Sequence, residues 1–565
     1  MPQSPVLKFN GMANTFELEA LPPGKAANAV NVMFSDTGSV LFPRWGSTLL
    51  YDGDIHSVYD TDNGTFFVED GDLKLFDKAN PATPVTILAS VGSDRMFYTR
   101  PIGFRTYFSN GTVTGKYTKG DSVTTQWGIP VPAAPTCTPT GTGGMLPGYY
   151  RVVITWISID GDESAAGPST RVTVADGGGI QLTNLPSPPA FVDALAVYLS
   201  PVNDEKLYLY NEYVIETQTI DLVAGDYNIL LETQFFDPPA PPSGANIVSH
   251  YGRIYWWDGP RLCFTEPQRY GLTEPESYLT FDSTGRTIVS CPGVLYVGTD
   301  TMQYKMLDVD GETGIPIAEP LQDCGSTAYS EVYHQDGVAA YYMSDRGLLK
   351  AMPEALTEVT YDTVAMPLFP SGDATILYKD GLEYLIFMGT DGVQNDLATD
   401  TYNAEEWVYG SPIDSAWAIN LKTKAVSQYA DYDFNTISGH YGGSSSGFFS
   451  LYGDNDNGVP INGFLETGKF DFTLKKDPVS YLKRIPSCYV RVNGGKMKLQ
   501  TRTDNTRQYI DYEVRHTHRM ETVRLSPMAQ GATGGFWQFK LSNVNGSKAV
   551  VSDIQPLVEK LSRRA

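Results

Sequence analysis

The sequence is short of cysteine, of positive charge and of long apolar runs. Five cysteines (Cys137, Cys263, Cys291, Cys324, Cys488) are scattered through 565 residues with no C-x-x-C pair. That spacing excludes a disulfide framework or a zinc knuckle as the organiser of the fold, and the expected folding environment is a reducing cytoplasm. Forty-one Lys+Arg face 65 Asp+Glu, a formal net charge of −24. Nowhere do about 18 apolar residues run together, and the opening MPQSPVLKFNG has no basic segment leading into an apolar one, so neither a membrane span nor a signal peptide is expected. Long helical periodicity and a P-loop are missing as well.

What the chain has instead is turns and aromatics: 54 Gly, 37 Pro and 35 Tyr, with 41% hydrophobic and 12% aromatic residues. Such a composition can bury a core and favours pleated surfaces, and 565 residues exceed what one growing core accommodates. An all-β chain of several domains, or of one large repeat, follows. The repeat is visible. Residues 250–267, HYGRIYWWDGPRLCFTEP, read as aromatic strand, Gly turn, second strand, and the pattern returns at 55–77, 96–118, 332–351, 376–390 and 416–429. Asn110-Gly111, Asp70-Gly71 and Asp258-Gly259 are hairpin signals because these residues tolerate positive φ. Hairpins too small to bury their own faces, repeated in this way, predict a β-propeller of six to eight blades, with stacked β-sandwiches as the alternative.

Two stretches break the rhythm. Between the Pro/Ala-rich linkers at 128–136 and 235–245, the strands of GYYRVVITWISIDGDESAAGPS (148–169), GIQLTNLP (179–186) and ALAVYLS (194–200) predict an inserted Ig- or fibronectin-like sandwich. In residues 475–565 the charge reverses: 17 Lys/Arg against 7 Asp/Glu give +10, leaving −34 on the preceding 474 residues. The expected organisation is therefore an arm and first blades over 1–130, the sandwich over 131–240, further blades over 241–474 and a basic β-module over 475–565 that serves docking.

No catalytic, cofactor-binding or metal-binding residue is assigned, and no cofactor is expected. His516 and His518 share one side of a strand but have no third ligand near them in sequence, and Arg flanks both. GDNDNG at 453–458 is rich in oxygen ligands, yet its Gly is out of step with a calcium loop, and an Asx-rich turn explains it better. SDTG at 35–38 has the wrong intervals for a sialidase Asp-box. Trp256-Trp257 and Tyr341-Tyr342 could stack on sugars, but neighbours on a strand point to opposite faces, so at most one of each pair is available.

LPPGKAANAVNVMFSDTGSVLFPRWG (21–46), GRIYWWDGPRLCFTEP, GVLYVGTDTMQYKM (293–306) and FWQFKLSNVNG resemble, in order along the chain, segments of the tail nozzle proteins of short-tailed bacteriophages, also called packaged-DNA stabilisation proteins. The resemblance implies a virion tail protein that forms a homo-oligomeric ring, a hexamer in such proteins, below a tail adaptor, with tail fibres as further partners and double-stranded DNA in transient, non-specific passage. An acidic wall suits that passage, since basic side chains would hold phosphates. The alternatives are a glycan- or receptor-binding propeller of a phage tail and direct DNA binding by the basic module.

Overall fold

The computed structural model describes residues 5–78, 83–238, 246–307, 316–390, 416–472, 481–506, 508–528 and 532–564. The expected domain boundaries at 240 and 475, and most of the linker at 235–245, lie outside these residues. Among the described residues there are strands, turns and bends but no helix, so the protein is all-β. By internal contacts it divides into two units, one comprising Met1–Thr86, Cys291–Gln303 and Leu321–Ala565, the other Ile87–Ser290 and Tyr304–Pro320.

Antiparallel meanders dominate. Their strands lie within 55–88, 97–118, 247–280, 285–322, 332–358, 371–429 and 436–453, each hydrogen-bonded to the next in chain order. Local turn chemistry sets them up. Asp70 and Gly71, both at positive φ (50° and 79°), link Gly64–Glu69 to Asp72–Phe76, and Asp380 and Gly381 (55° and 76°) link Ser371–Lys379 to Leu382–Thr390. Two successive left-handed residues make the primed turn whose twist matches that of the strands. The meander over 436–453 takes its fourth strand from the far end of the chain: Gly447–Gly453 pairs with Gly46–Tyr51.

The second unit contains a sandwich. Thr136–Thr140, Gly179–Thr183 and Ile220–Leu222 form one sheet, and Thr170–Val174, Gly148–Ser158, Val192–Leu199 and Tyr208–Val214 form the other. Alternation along Gly148–Ser158 turns Tyr150, Val152, Ile154 and Trp156 into the space between them, against Ile180, Leu182, Leu195, Val197 and Leu222.

In the first unit the meander strands continue into a larger sheet. A nine-stranded sheet runs from Ser371–Lys379 through Leu382–Thr390, Ala416–Asn420, Val426–Tyr429, Ala26–Val30, Phe464–Thr467, Trp537–Asn543 and Met497–Thr503 to Ile510–Val514. A five-stranded sheet has the order Met33–Phe34, Val40–Phe42, Ala549–Arg564, Tyr481–Gly494, Thr517–Leu525. Strands of the basic segment over 475–565 pair with strands from earlier in the chain: Val40–Phe42 with Ala549–Val551, and Phe464–Glu466 with Lys540–Ser542. One core joins Phe9, Phe34 and Phe42 from the beginning of the chain to Val490, Trp537 and Ile554 from its end. Complementary apolar faces, not sequence proximity, decided that pairing.

Candidate assembly face and polar cleft

The N-terminal motif residues turn out to hold the chain together. Arg44, 2% exposed, donates from Nε to Asn31 Oδ1 at 2.9 Å, from Nη1 to Trp45 O and Asp456 Oδ1 at 3.0 Å, and from Nη2 to Ala430 O at 3.0 Å and Asp456 Oδ2 at 2.9 Å. Its guanidinium also lies 5.3 and 5.0 Å from the ring centroids of Tyr429 and Tyr432. A bidentate carboxylate and two aromatic faces are what a buried guanidinium needs. This accounts for the acidic loop at 453–458. Asp456 is the counter-ion of Arg44, and Asp454 pairs with Lys548 at 2.6 Å, a contact that holds its carboxyl below the usual range. In the 35–38 turn, Ser35 Oγ accepts from Ser39 N at 3.0 Å, and Asp36 takes the Lys422 ammonium at 2.7 Å.

The paired aromatics face the interior on both sides. Trp256 packs with Tyr107 and Trp127, while Trp257 donates from Nε1 to Thr287 O at 3.1 Å and meets Phe281 edge-on. Tyr341 and Tyr342 are 5% and 1% exposed. None of the four offers a free stacking face. Three of the cysteines, Cys291, Cys324 and Cys488, are buried and two, Cys137 and Cys263, half-buried; burial pushes Cys137, Cys263, Cys291 and Cys324 up to about 11 and Cys488 up to about 12, the opposite of thiolate activation.

His516 and His518 are exposed, with ring centroids 4.6 Å apart, and among the described residues no group of three or more His, Cys, Asp or Glu is placed to hold a metal ion. A motif missed by the sequence reading is Gly443-Ser444-Ser445-Ser446-Gly447, which has nucleophile-elbow spacing. It forms the hairpin turn between Tyr441–Ser444 and Gly447–Gly453, where an elbow would join a strand to a helix.

A cleft of about 350 Å³ in the first unit is lined by Asp36, His334, Asp336, Tyr341, Lys350, Glu383 and Lys422. His334 Nδ1 is 3.0 Å from Asp336 Oδ2, and Nε2 is 3.4 Å from Glu383 Oε2. Each ring nitrogen thus lies beside a carboxylate. Burial, with the nearby Asp336 and Glu383 charges, pushes the Tyr341 phenol up to about 12.

The charge reversal at the C-terminus has a definite surface. In the five-stranded sheet, Val490 stands opposite Val523 and Ile554 and faces the core. On the other face, by alternation, Arg491 stands opposite Thr522 and Tyr489 opposite Arg524. Arg491, Arg515, Arg519, Arg524 and Lys560 are exposed. Counter-charges on these strands include Glu521, shared by Arg515 at 3.6 Å and Arg519 at 3.1 Å, Asp553, which stands opposite Arg491, and Glu559, which takes Arg484 at 2.5 Å. Among the described residues Thr517–Leu525 is an edge strand, with no strand paired on its outer side. Two tail lysines are not on the surface at all: Lys483 donates to Gly535 O at 3.2 Å, and Lys540 lies 4.0 Å from the Phe464 ring centroid.

No protein-family model and no curated protein matches the chain. Solved structures that align with it include PorZ, a surface component of the type-IX secretion system of Porphyromonas gingivalis (10% identity, 92% of this chain and 91% of that one, TM-score 0.18). The tricorn protease aligns over 74% of this chain and 46% of its own (11% identity, TM-score 0.21). The exo-β-1,3-galactanase of Phanerochaete chrysosporium aligns over 55% and 95% (10% identity, TM-score 0.17). At these TM-scores the likenesses carry no functional argument.

Proposed function

We propose that the chain is a structural protein of a short-tailed phage virion, in which the meanders close as propeller blades and several copies form a ring that retains the genome and then conducts it. The observation that carries this reading is the distribution of charge. A body at −34 repels phosphate and leaves a duplex free to slide, whereas residues 475–565 sum to +10 and present exposed Arg491, Arg515, Arg519 and Arg524 on and beside two strands of the five-stranded sheet. Basic side chains fixed on a rigid sheet steer and register an acidic partner, which fits docking on a neighbouring copy or on a tail adaptor. In this reading the chain is not an enzyme. The burial of Trp256, Trp257, Tyr341 and Tyr342 weighs against the glycan-binding alternative.

Negative-stain images of the purified chain, alone and with its adaptor, test the proposal. A ring or cone with a central hole is the expected result; a chain that stays monomeric in both samples overturns it. A glycan array should show no saturable binding.

A further inference from the structure

We propose that the subunit contact of this ring is head-to-tail, with the acidic sandwich of one copy seated on the basic edge strand Thr517–Leu525 of the next and the arginines beside it. The inference rests on the ring reading above and names the two surfaces that meet. Residues 131–240 hold 13 Asp/Glu and 3 Lys/Arg, a net of −10, equal and opposite to the +10 of residues 475–565. Some of that acidity is already answered, since Arg105 and Lys116 pair with Asp160 and Asp162, and Arg269 with Glu232. Subtracting those three cations still leaves −7.

Both surfaces are exposed among the described residues. On the basic side Arg515 and Arg519 have 71% and 85% of their side chains exposed, and Met520 is 37% exposed. On the sandwich, Tyr208–Val214 is the outermost strand of its sheet. Residues 229–231 cover only its beginning, through Leu209 N to Ile229 O at 2.7 Å and Leu231 N to Leu207 O at 2.8 Å. The remaining edge carries exposed Glu212 and ends at Val214, 64% exposed, with Glu216, Asp221 and Asp226 exposed beyond it. Ile229 and Leu230, beside the covered end, are 58% and 50% exposed. Acidic and apolar side chains exposed on the sandwich meet arginines and a methionine exposed along the tail strand.

Charge selects the pairing. Sandwich against sandwich, or tail strand against tail strand, would set like charge on like. Sandwich against tail strand joins two different patches that attract, and repeated around a ring it is a heterologous contact.

The test is charge reversal on exposed side chains, with unchanged unfolding midpoints as the check on folding. Arg515→Glu, Arg519→Glu and Arg524→Glu together make a tail variant; Glu212→Lys, Glu216→Lys and Asp226→Lys together make a sandwich variant. Sedimentation at physiological salt should show each variant alone dissociating, with the subunit dissociation constant raised roughly 100-fold. An equimolar mixture should assemble again, because every contact in an alternating ring then joins opposite charges. A sandwich variant that forms rings as well as the unaltered protein overturns this inference and leaves the ring intact. If the unaltered protein forms no ring, the functional reading itself fails, and the two failures are distinguishable.

Discussion

His250 occupies an interior position, 5% exposed, with Nδ1 2.8 Å from Ser290 Oγ, Nε2 without a partner, and the Tyr251 ring centroid at 4.5 Å. Burial lowers its pKa from 6.5 to about 4. As pH falls below 6.5 the unfolded chain takes up a proton that the folded chain refuses until about pH 4, so stability drops across that window by an amount on the order of 3 kcal/mol. His250→Asn should flatten this loss, measured as denaturant midpoints at pH 7 and pH 4.5; a variant that retains the full pH slope contradicts the assignment. Gly285 makes a second residue-scale case. A Cβ there would lie 1.8 Å from the Trp257 ring, which is wholly buried. Gly285→Ala should therefore cost roughly 2–3 kcal/mol through overpacking and shift the tryptophan emission. Sequence spacing disclosed neither residue, since each depends on a neighbour 28 to 40 positions away.

At the scale of elements, the sandwich meets its unit at a defined ion cluster. Arg105 and Lys116, on adjacent strands, receive the acidic turn that follows Gly148–Ser158: Arg105 to Asp160 at 3.1 Å and to Asp162 at 3.5 Å, Lys116 to both at 3.0 Å. The side chains of Arg105 and Lys116 are only 9% and 4% exposed. Burial opposes ionisation of Asp160, yet Lys116 and Arg105 hold its carboxyl below the usual range. Lys116→Met keeps the apolar stem and removes the charge, leaving two carboxylates to one cation. Docking of the turn should weaken by about 1–3 kcal/mol, less than for a fully buried pair because Asp162 is 45% exposed. Hydrogen exchange over 158–164 should then quicken roughly tenfold or more while Val152 and Ile154 in the sandwich core stay protected; unchanged exchange in the turn would show the cluster to be ornamental. The hairpins were legible because turns such as Asp70-Gly71 and Asp380-Gly381 encode them within a few residues. The ion cluster was not, because abundant carboxylates give no sign of which ones a distant Lys will meet.

At the scale of the whole molecule, the two ends of the chain are sewn together. Ala26–Val30 lies between Val426–Tyr429 and Phe464–Thr467, Gly46–Tyr51 completes the sheet of Gly447–Gly453, and Leu7 exchanges hydrogen bonds with Ile554 at 2.9 and 3.1 Å. Composition and rhythm revealed an all-β chain with a basic end. They could not reveal this closure, because each partner strand has an apolar face that would suit several others, and only simultaneous packing in one core selects among them. The closure has a consequence for folding. Contacts separated by 400 residues and more form late, after much loop-closure entropy has been lost, so the unit that contains them cannot close until the last strand exists. The sandwich core, by contrast, is complete within residues 129–222. A chain ending at residue 548 lacks Ala549–Arg564, which lies between Val40–Phe42 and Tyr481–Gly494 and brings Val551 and Ile554, both 0% exposed, to the core. Such a chain should expose Phe42, Val490 and Val492 and be digested by protease down to a resistant fragment spanning about 131–240. A truncated chain that instead survives intact and unfolds at the midpoint of the full protein would mean that the C-terminal strand covers the core without holding it.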